Sequence, residues 1–392
     1  MARRADVLSG ACGGGQRDGA GTSYIVRTPG GVLYFVSNDN LSDVSFRKSS
    51  NDGITWSAAT FMFSGTVTAL SVWYDRWSDI AAGLIHCAYQ ESVTDDTLYR
   101  TIDTESSDAL STQTTIFAGA STANGGCLSI CRGRGGNVYC ATMIDAGAEG
   151  GFFRLPNANV PNGAWDAART TVFEAVTQDQ VILVPGWAAD NQDMMAFFWD
   201  ASSDEISRKL YDDSANSWAE TSIATGMVEQ AATTAFPHFA AAVDITNSRN
   251  LLAAWSAVDL LNADLRCWHV TESAITEVTN IVLNSTDDQG LVAIGIDTNT
   301  GYWYAFYGGK SDGSETFGTL INIYYKVSTD SGTTWGPEIL LTQSARNYVC
   351  LYTTPRFTGN MTFAGIVFAT LNDIIFSAEL AQPRASYQLV GG

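Results

Sequence analysis

Glu91, Asp145, Asp200 and Asp259 each close an apolar run that reads as a β-strand, and each opens a polar loop. Two carboxyl groups flanking a bound sugar are what hydrolysis of a glycosidic bond requires, one as acid and one as base or nucleophile. Trp73, Trp187, Trp199 and Trp255 stand near such run ends as candidate sugar platforms, though tryptophan inside an apolar run is more simply read as core. The rest of the chain offers little chemistry. Histidine is limited to His86, His238 and His269, and no G-x-S-x-G nucleophile motif occurs. Cys127, Cys131 and Cys140 with His86 do not have the spacing of a zinc site. No metal or cofactor is expected.

The same set of loops gathers acid. Asp39, Glu91, Asp145, Glu149, Asp200, Asp204, Asp259 and Asp312 all fall between the second and third strands of a repeating unit. Arginine prefers the turns at the opposite ends of the strands, as at Arg27, Arg132, Arg249 and Arg356. An acidic mouth is therefore expected on one face, suited to a basic partner; the plainer reading is that the acids only solubilise loops. The net charge of −20 argues against nucleic acid as a partner.

Stepwise repetition supplies the scaffold. An apolar strand carrying a basic residue recurs at Arg47, Arg100, Arg154, Arg208, Arg266 and Lys326, at intervals of 53, 54, 54, 58 and 60 residues. A seventh copy without the basic residue follows at Asp373–Ser377. Such a period fits a four-stranded antiparallel unit. The first strands of the units are expected near Ser23–Arg27, Ala69–Tyr74, Cys127–Cys131, Val181–Trp187, Phe239–Ile245, Gly290–Ile296 and Tyr348–Thr353. The last unit lacks an obvious fourth strand, and either Ala5–Ser9 or Ala385–Val390 could cover its open edge.

Two turns then stand out. Ser49, Asn51, Gly53, Thr55 and Trp56 match Ser328, Asp330, Gly332, Thr334 and Trp335 in the pattern S-x-[DN]-x-G-x-T-W. The Asn or Asp caps the turn, Gly supplies positive φ, and Trp ends it with a plate to bury. Asp213, Ser217 and Trp218 stand where a worn copy would fall. In these turns the chain resembles the sialidase-like Asp-box β-propellers. The resemblance implies an all-β propeller of four-stranded antiparallel blades, seven by the repeat count and six by analogy with the sialidases themselves. It also implies that the boxes are architectural.

Sialidases hold their substrate's carboxylate with three arginines. Arg27, in Val26-Arg27-Thr28-Pro29, is reminiscent of that family's Arg-Ile-Pro motif, but it falls at a turn on the opposite face, and no second and third arginine accompany it. Sialidase activity is not expected. The organisation read from the sequence is a Gly-rich arm (1–22), a propeller (23–380) and a tail or closing strand (381–392). Seven cysteines, mostly in apolar strands, read as buried reduced thiols. The opening residues lack the apolar core of a secretory leader, and no apolar stretch is long enough to span a membrane. The expectation is a cytoplasmically made, non-catalytic docking module of a phage virion (tail or nozzle), contacting other protein chains or a surface glycan. Hydrolysis of a neutral polysaccharide is the alternative.

Overall fold

Apolar runs bounded by turn residues become strands throughout, and every pairing between them is antiparallel. The computed structural model describes residues 3–9, 24–28, 30–38, 43–51, 53–74, 83–119, 128–144, 149–168, 170–174, 180–187, 193–200, 202–228, 239–256, 264–283, 291–297, 300–315, 321–341, 348–353, 361–367 and 374–380.

The chain opens with β1 (Arg3–Ser9). The first sheet comprises β2 (Ile25–Arg27), β3 (Leu33–Asn38), β4 (Val44–Ser49) and β5 (Thr60–Phe63). The second holds β6 (Val67–Tyr74), β7 (Leu84–Glu91), β8 (Thr97–Asp103), β9 (Ala109–Leu110) and β10 (Thr114–Phe117). The third is β11 (Ser129–Arg132), β12 (Val138–Met143), β13 (Glu149–Leu155) and β14 (Thr170–Glu174). The fourth is β15 (Gln180–Pro185), β16 (Met194–Asp200), β17 (Glu205–Asp212) and β18 (Ser217–Thr225). The fifth is β19 (Phe239–Asp244), β20 (Arg249–Trp255), β21 (Leu265–Val270) and β22 (Ile275–Glu277). The sixth is β23 (Val292–Ile296), β24 (Trp303–Gly308), β25 (Ile323–Ser328) and β26 (Ile339–Leu340). The last is β27 (Tyr348–Thr353), β28 (Met361–Val367) and β29 (Ile374–Leu380), with β1 as its outer strand.

Six sheets thus have four strands, and the second has five because its outer strand is broken into β9 and β10, both lying along β8. Each innermost strand packs beside the innermost strand of the next sheet, and β2 lies against both β6 and β27. The architecture is an all-β propeller. Of the two candidates for the missing outer strand, β1 fills the place, pairing Arg3 with Glu379 and Ser9 with Ile374. The start of the Gly-rich arm therefore contributes a strand, because the exposed edge of β29 needs backbone partners.

Burial falls off from the inside outward. β7 and β15 are buried along their whole length, so neither alternates between core and solvent, and the polar His86, Gln90, Glu91 and Gln180 are buried with the apolar residues. The outer β18 is mostly exposed. Trp199, Trp255, Trp268 and Trp303 are fully buried between sheets. Polar seams link the inner strands as well. Ser71 Oγ accepts from Ile130 N at 2.9 Å, and Ser129 Oγ accepts from Leu183 N at 2.9 Å.

The recurring basic residues all lie within third strands, where they bind outward or across to the adjoining sheet. Arg47 donates to Ser57 O (3.0 Å), Arg100 to Ser111 O (2.8 Å) and Lys326 to Ile281 O (2.7 Å). Arg266 grips Glu277 through two bonds of 2.7 and 2.8 Å. Their period is a requirement of the scaffold: a long cationic stem bridges the weakly paired outer strand where a shorter side chain cannot reach.

Candidate functional site

The carboxylates singled out in the sequence do local work. Glu91, at the end of β7, is buried and accepts from Val93 N (2.7 Å), Thr94 N (2.7 Å) and Thr94 Oγ1 (2.7 Å). Burial alone pushes its carboxyl up, but these three bonds outweigh burial and hold it below the ordinary carboxylate range. Asp200 caps the turn after β16, accepting from Ser202 N (2.9 Å), Ser202 Oγ (2.7 Å) and Ser203 N (3.2 Å). Again burial raises its pKa and the hydrogen bonds lower it further, for a net depression. A general acid must keep its proton near neutral pH, so both groups are tuned the wrong way for that role. They also sit on different sheets, the second and the fourth.

Other acids on these loops act in the same fashion. Asp43 accepts from Gly65 N and Asp96 from Gly119 N, each at 2.9 Å, so both tie a loop after the second strand to the loop leaving the fourth. Asp312 pairs with Lys310 and caps Ser314, and the Lys310 contact leads in drawing its pKa down to about 2. Asp204 holds a left-handed turn position with φ of 54°. Glu149 starts β13 opposite Glu174. Asp39, Asp145 and Asp259 lie outside the described residues. Tight loops need carboxylates to cap their N–H groups, and capping by neutral donors leaves the negative charge in place.

The candidate platforms divide. Trp199 and Trp255 are core, and the Trp255 indole donates to Leu291 O at 3.1 Å. Trp73 and Trp187 are half-buried and pack against the core clusters, Trp187 with the Arg134 guanidinium 5.2 Å from its ring centroid. Arg27 ends β2 beside the Thr28–Val32 turn, on the side the sequence indicated. Cys87, Cys131, Cys140 and Cys267 are buried free thiols. Among the described residues no group of His, Cys, Asp and Glu is placed to hold a metal, and no helix is long and apolar enough to cross a membrane.

The two Trp-terminated turns are near copies in three dimensions. Ser49 Oγ accepts from Gly53 N (2.9 Å), while Asn51 Oδ1 accepts from Thr55 N (2.9 Å). In the twin, Ser328 Oγ accepts from Gly332 N (2.7 Å), and Asp330 takes Thr334 N (2.8 Å) and Thr334 Oγ1 (2.6 Å). Gly53 and Gly332 have φ of 79° and 82°. The indole of Trp335 donates to Thr279 O of the fifth sheet at 2.9 Å. That of Trp56 meets no acceptor among the described residues.

The fourth sheet departs from the expected worn copy. Asp212, not Asp213, caps the hairpin, through Ser214 Oγ (2.7 Å) and Ala215 N (2.9 Å). Ser217 pairs with Asp212, and Trp218 stays in β18 opposite Tyr211, packed on Phe152 at 4.9 Å. Freed from the turn, Asp213 reaches the third sheet and accepts from Tyr139 Oη (3.1 Å) and Arg154 Nη1 (2.8 Å). A similar clamp, with lysine in place of arginine, joins the first two sheets: Asp108 accepts from Tyr34 Oη (2.5 Å) and from Lys48 Nζ.

Around that second clamp lies an open groove of about 580 Å³. Its walls are the Trp56 turn of the first sheet and the hairpin tip Thr104–Asp108 of the second. No single stretch of sequence announces it, since Tyr34, Lys48, Trp56 and Asp108 come from two sheets; the one local hint was a Ser-Asp pair at a hairpin tip.

No protein-family model matches the chain, and no curated protein matches it. Solved structures do. An ulvan lyase, described as a new family of polysaccharide lyase and bound to a saccharide repeat, aligns over 95% of this chain and 95% of its own with a TM-score of 0.56 and 8% identity. A Trypanosoma rangeli sialidase aligns over 92% of this chain and 54% of its own, with a TM-score of 0.47 and 7% identity. The Aleuria aurantia lectin aligns over 81% and 96%, with a TM-score of 0.45 and 11% identity. What is shared is the β-propeller fold. At such identities the likeness carries nothing about the site chemistry of this propeller.

Proposed function

We propose that the chain is a non-catalytic propeller, its seven sheets acting as the blades of one closed ring, that serves as a docking module for a surface glycan or another protein. We place it in a phage particle, as a tail or nozzle component. The observation that carries the non-catalytic reading is the engagement of Glu91 and Asp200 as turn caps on separate sheets, both with depressed pKa. A glycan partner is supported by a propeller of the same fold described bound to a saccharide repeat. The buried free thiols fit synthesis in a reducing cytoplasm. The Asp-box reading of the two Trp-terminated turns is supported by their shared hydrogen-bond pattern.

Incubating the purified chain with a panel of neutral and acidic polysaccharides tests this reading. Binding without release of shorter products is expected. Turnover lost in Asp200→Asn or Glu91→Gln would overturn it in favour of the hydrolase. Glu91→Gln should instead reveal a structural role. The folded pKa of Glu91 is depressed, so its stabilisation is complete above the unfolded value near 4.5 and fades as pH falls through the folded value. The variant is expected to unfold more easily than the parent at pH 7, with the gap closing as pH falls below the unfolded value and through the folded one. Urea titrations across that range measure it.

A further inference from the structure

Extending the docking reading just given, on whose glycan arm it rests, we infer that the groove between the first and second sheets is a binding site for an uncharged saccharide. Its size comes first. A volume of about 580 Å³ sits within the roughly 300–1,000 Å³ usual for small-molecule sites, with room for more than one sugar ring.

The lining decides the ligand class. The groove's acid and base are already joined: Asp108 binds Lys48, and Tyr34 donates to the same carboxylate. A charged ligand would find its counter-ion engaged, and would lose hydration without gaining a free partner. A purely apolar ligand would strip water from the hydroxyls of Ser50, Thr55, Ser57, Thr104 and Ser107, which ring the groove. Sugars combine apolar C–H faces with a polar rim, and the groove offers the complement, with the half-buried Trp56 as the apolar plate among those hydroxyls.

The tip that shapes the second wall is itself held in an unfavourable conformation. Ser107 and Asp108 form the centre of a tight turn closed by Ala109 N to Ser106 O (3.2 Å), with φ of 56° and 62°. Asn-Gly is the pair that such a turn favours; Asp tolerates the left-handed region, but Ser107 does not adopt it readily. Strain of this kind persists where the surroundings enforce it, and it is concentrated at ligand sites. The comparison within the chain sharpens the point. Between the third and fourth sheets a similar clamp forms at Asp213, which is not itself left-handed (Asn216, φ 50°, holds that conformation in its hairpin), and Trp218 packs over the neighbouring Phe152 and Tyr211. The first interface has no such tryptophan on its hairpin, and a groove lies there instead.

The test fills the groove without disturbing the scaffold. Ser50 and Thr329 occupy the same position of the twin turns, and both are exposed, but only Ser50 lines the groove. Glucose, galactose, mannose and their neutral oligosaccharides are titrated against the whole chain by saturation-transfer NMR and calorimetry, with glucuronate and galacturonate as charged counterparts. Neutral sugars should bind at least ten-fold tighter than the uronates. Ser50→Trp should weaken that binding at least ten-fold, and Thr329→Trp should leave it unchanged, both variants unfolding at the parental midpoint. If Ser50→Trp binds the neutral sugars as the parent does, the groove is overturned as the site while the docking reading stands. Uronates binding as tightly as neutral sugars overturn the ligand class. Absence of binding to any sugar by the parent chain overturns both the groove and the glycan arm of the reading.

Discussion

Replacing Gly332 by Ala should be among the most damaging single changes in this protein, lowering stability by roughly 2–5 kcal/mol. Two costs combine. The residue sits at φ of 82°, where an L side chain loses about 1–2 kcal/mol. A methyl group there would also lie 2.7 Å from Cζ3 of Trp303, a ring only 1% exposed that the core holds in place. Relieving such a clash in a packed site costs roughly a further 1–3 kcal/mol. Gly301→Ala separates the two contributions. Its φ is 71°, but a methyl group there meets nothing within 4 Å, so only the backbone cost of about 1–2 kcal/mol remains. Thermal and urea unfolding of the two variants should rank them clearly; equal losses would show that the Trp303 contact plays no part.

The second large effect is expected at Asp213. Truncation to Ala deprives both Arg154 Nη1 and Tyr139 Oη of their acceptor at a contact between the third and fourth sheets where Asp213 is 12% exposed. Leaving buried donors without a partner typically costs about 1–3 kcal/mol, and partial exposure of Arg154, which keeps Asp166 at 2.7 Å, places the expected loss near 2 kcal/mol. Asp212→Ala removes only a hairpin cap on an exposed turn and should do less. Asp213→Asn retains an acceptor and should fall between parent and Ala. Tryptophan fluorescence during urea unfolding follows all three, with Trp218 as a nearby reporter. A larger loss at Asp212 than at Asp213 would contradict the clamp.

The difference between these adjacent aspartates shows what a sequence of this kind conveys. The repeat was legible because six of the seven sheets reuse one plan, a third strand with its bridging base, as at Arg47 and Lys326, and because two tight turns need Asn51 or Asp330 with a glycine two residues on. Those demands are local, and local demands leave a spaced pattern. Which of Asp212 and Asp213 caps its turn is settled by a single residue of register in the hairpin, and neither spacing nor composition reports it. The loop acids misled for a related reason. Glu91 and Asp200 look like available catalytic groups until the positions of Thr94 and Ser202 are known. The groove was out of reach altogether, because its walls meet only when two sheets pack.

The outermost place in the last sheet belongs to β1, and this dictates an order of assembly. The first six sheets can each condense from consecutive hairpins as they leave the ribosome, since every pairing partner is near in sequence. The final one must recapture a segment synthesised at the other end, a loop closure spanning nearly the whole chain and hence the slow event of folding. Until that capture the nascent protein carries the naked flank of β29, inviting mispairing with a second copy, so chaperone dependence should be greatest between the synthesis of β29 and its pairing with β1. Afterwards β1 and β29 act as a clasp, and traction pulling those two strands apart loads their pairing first.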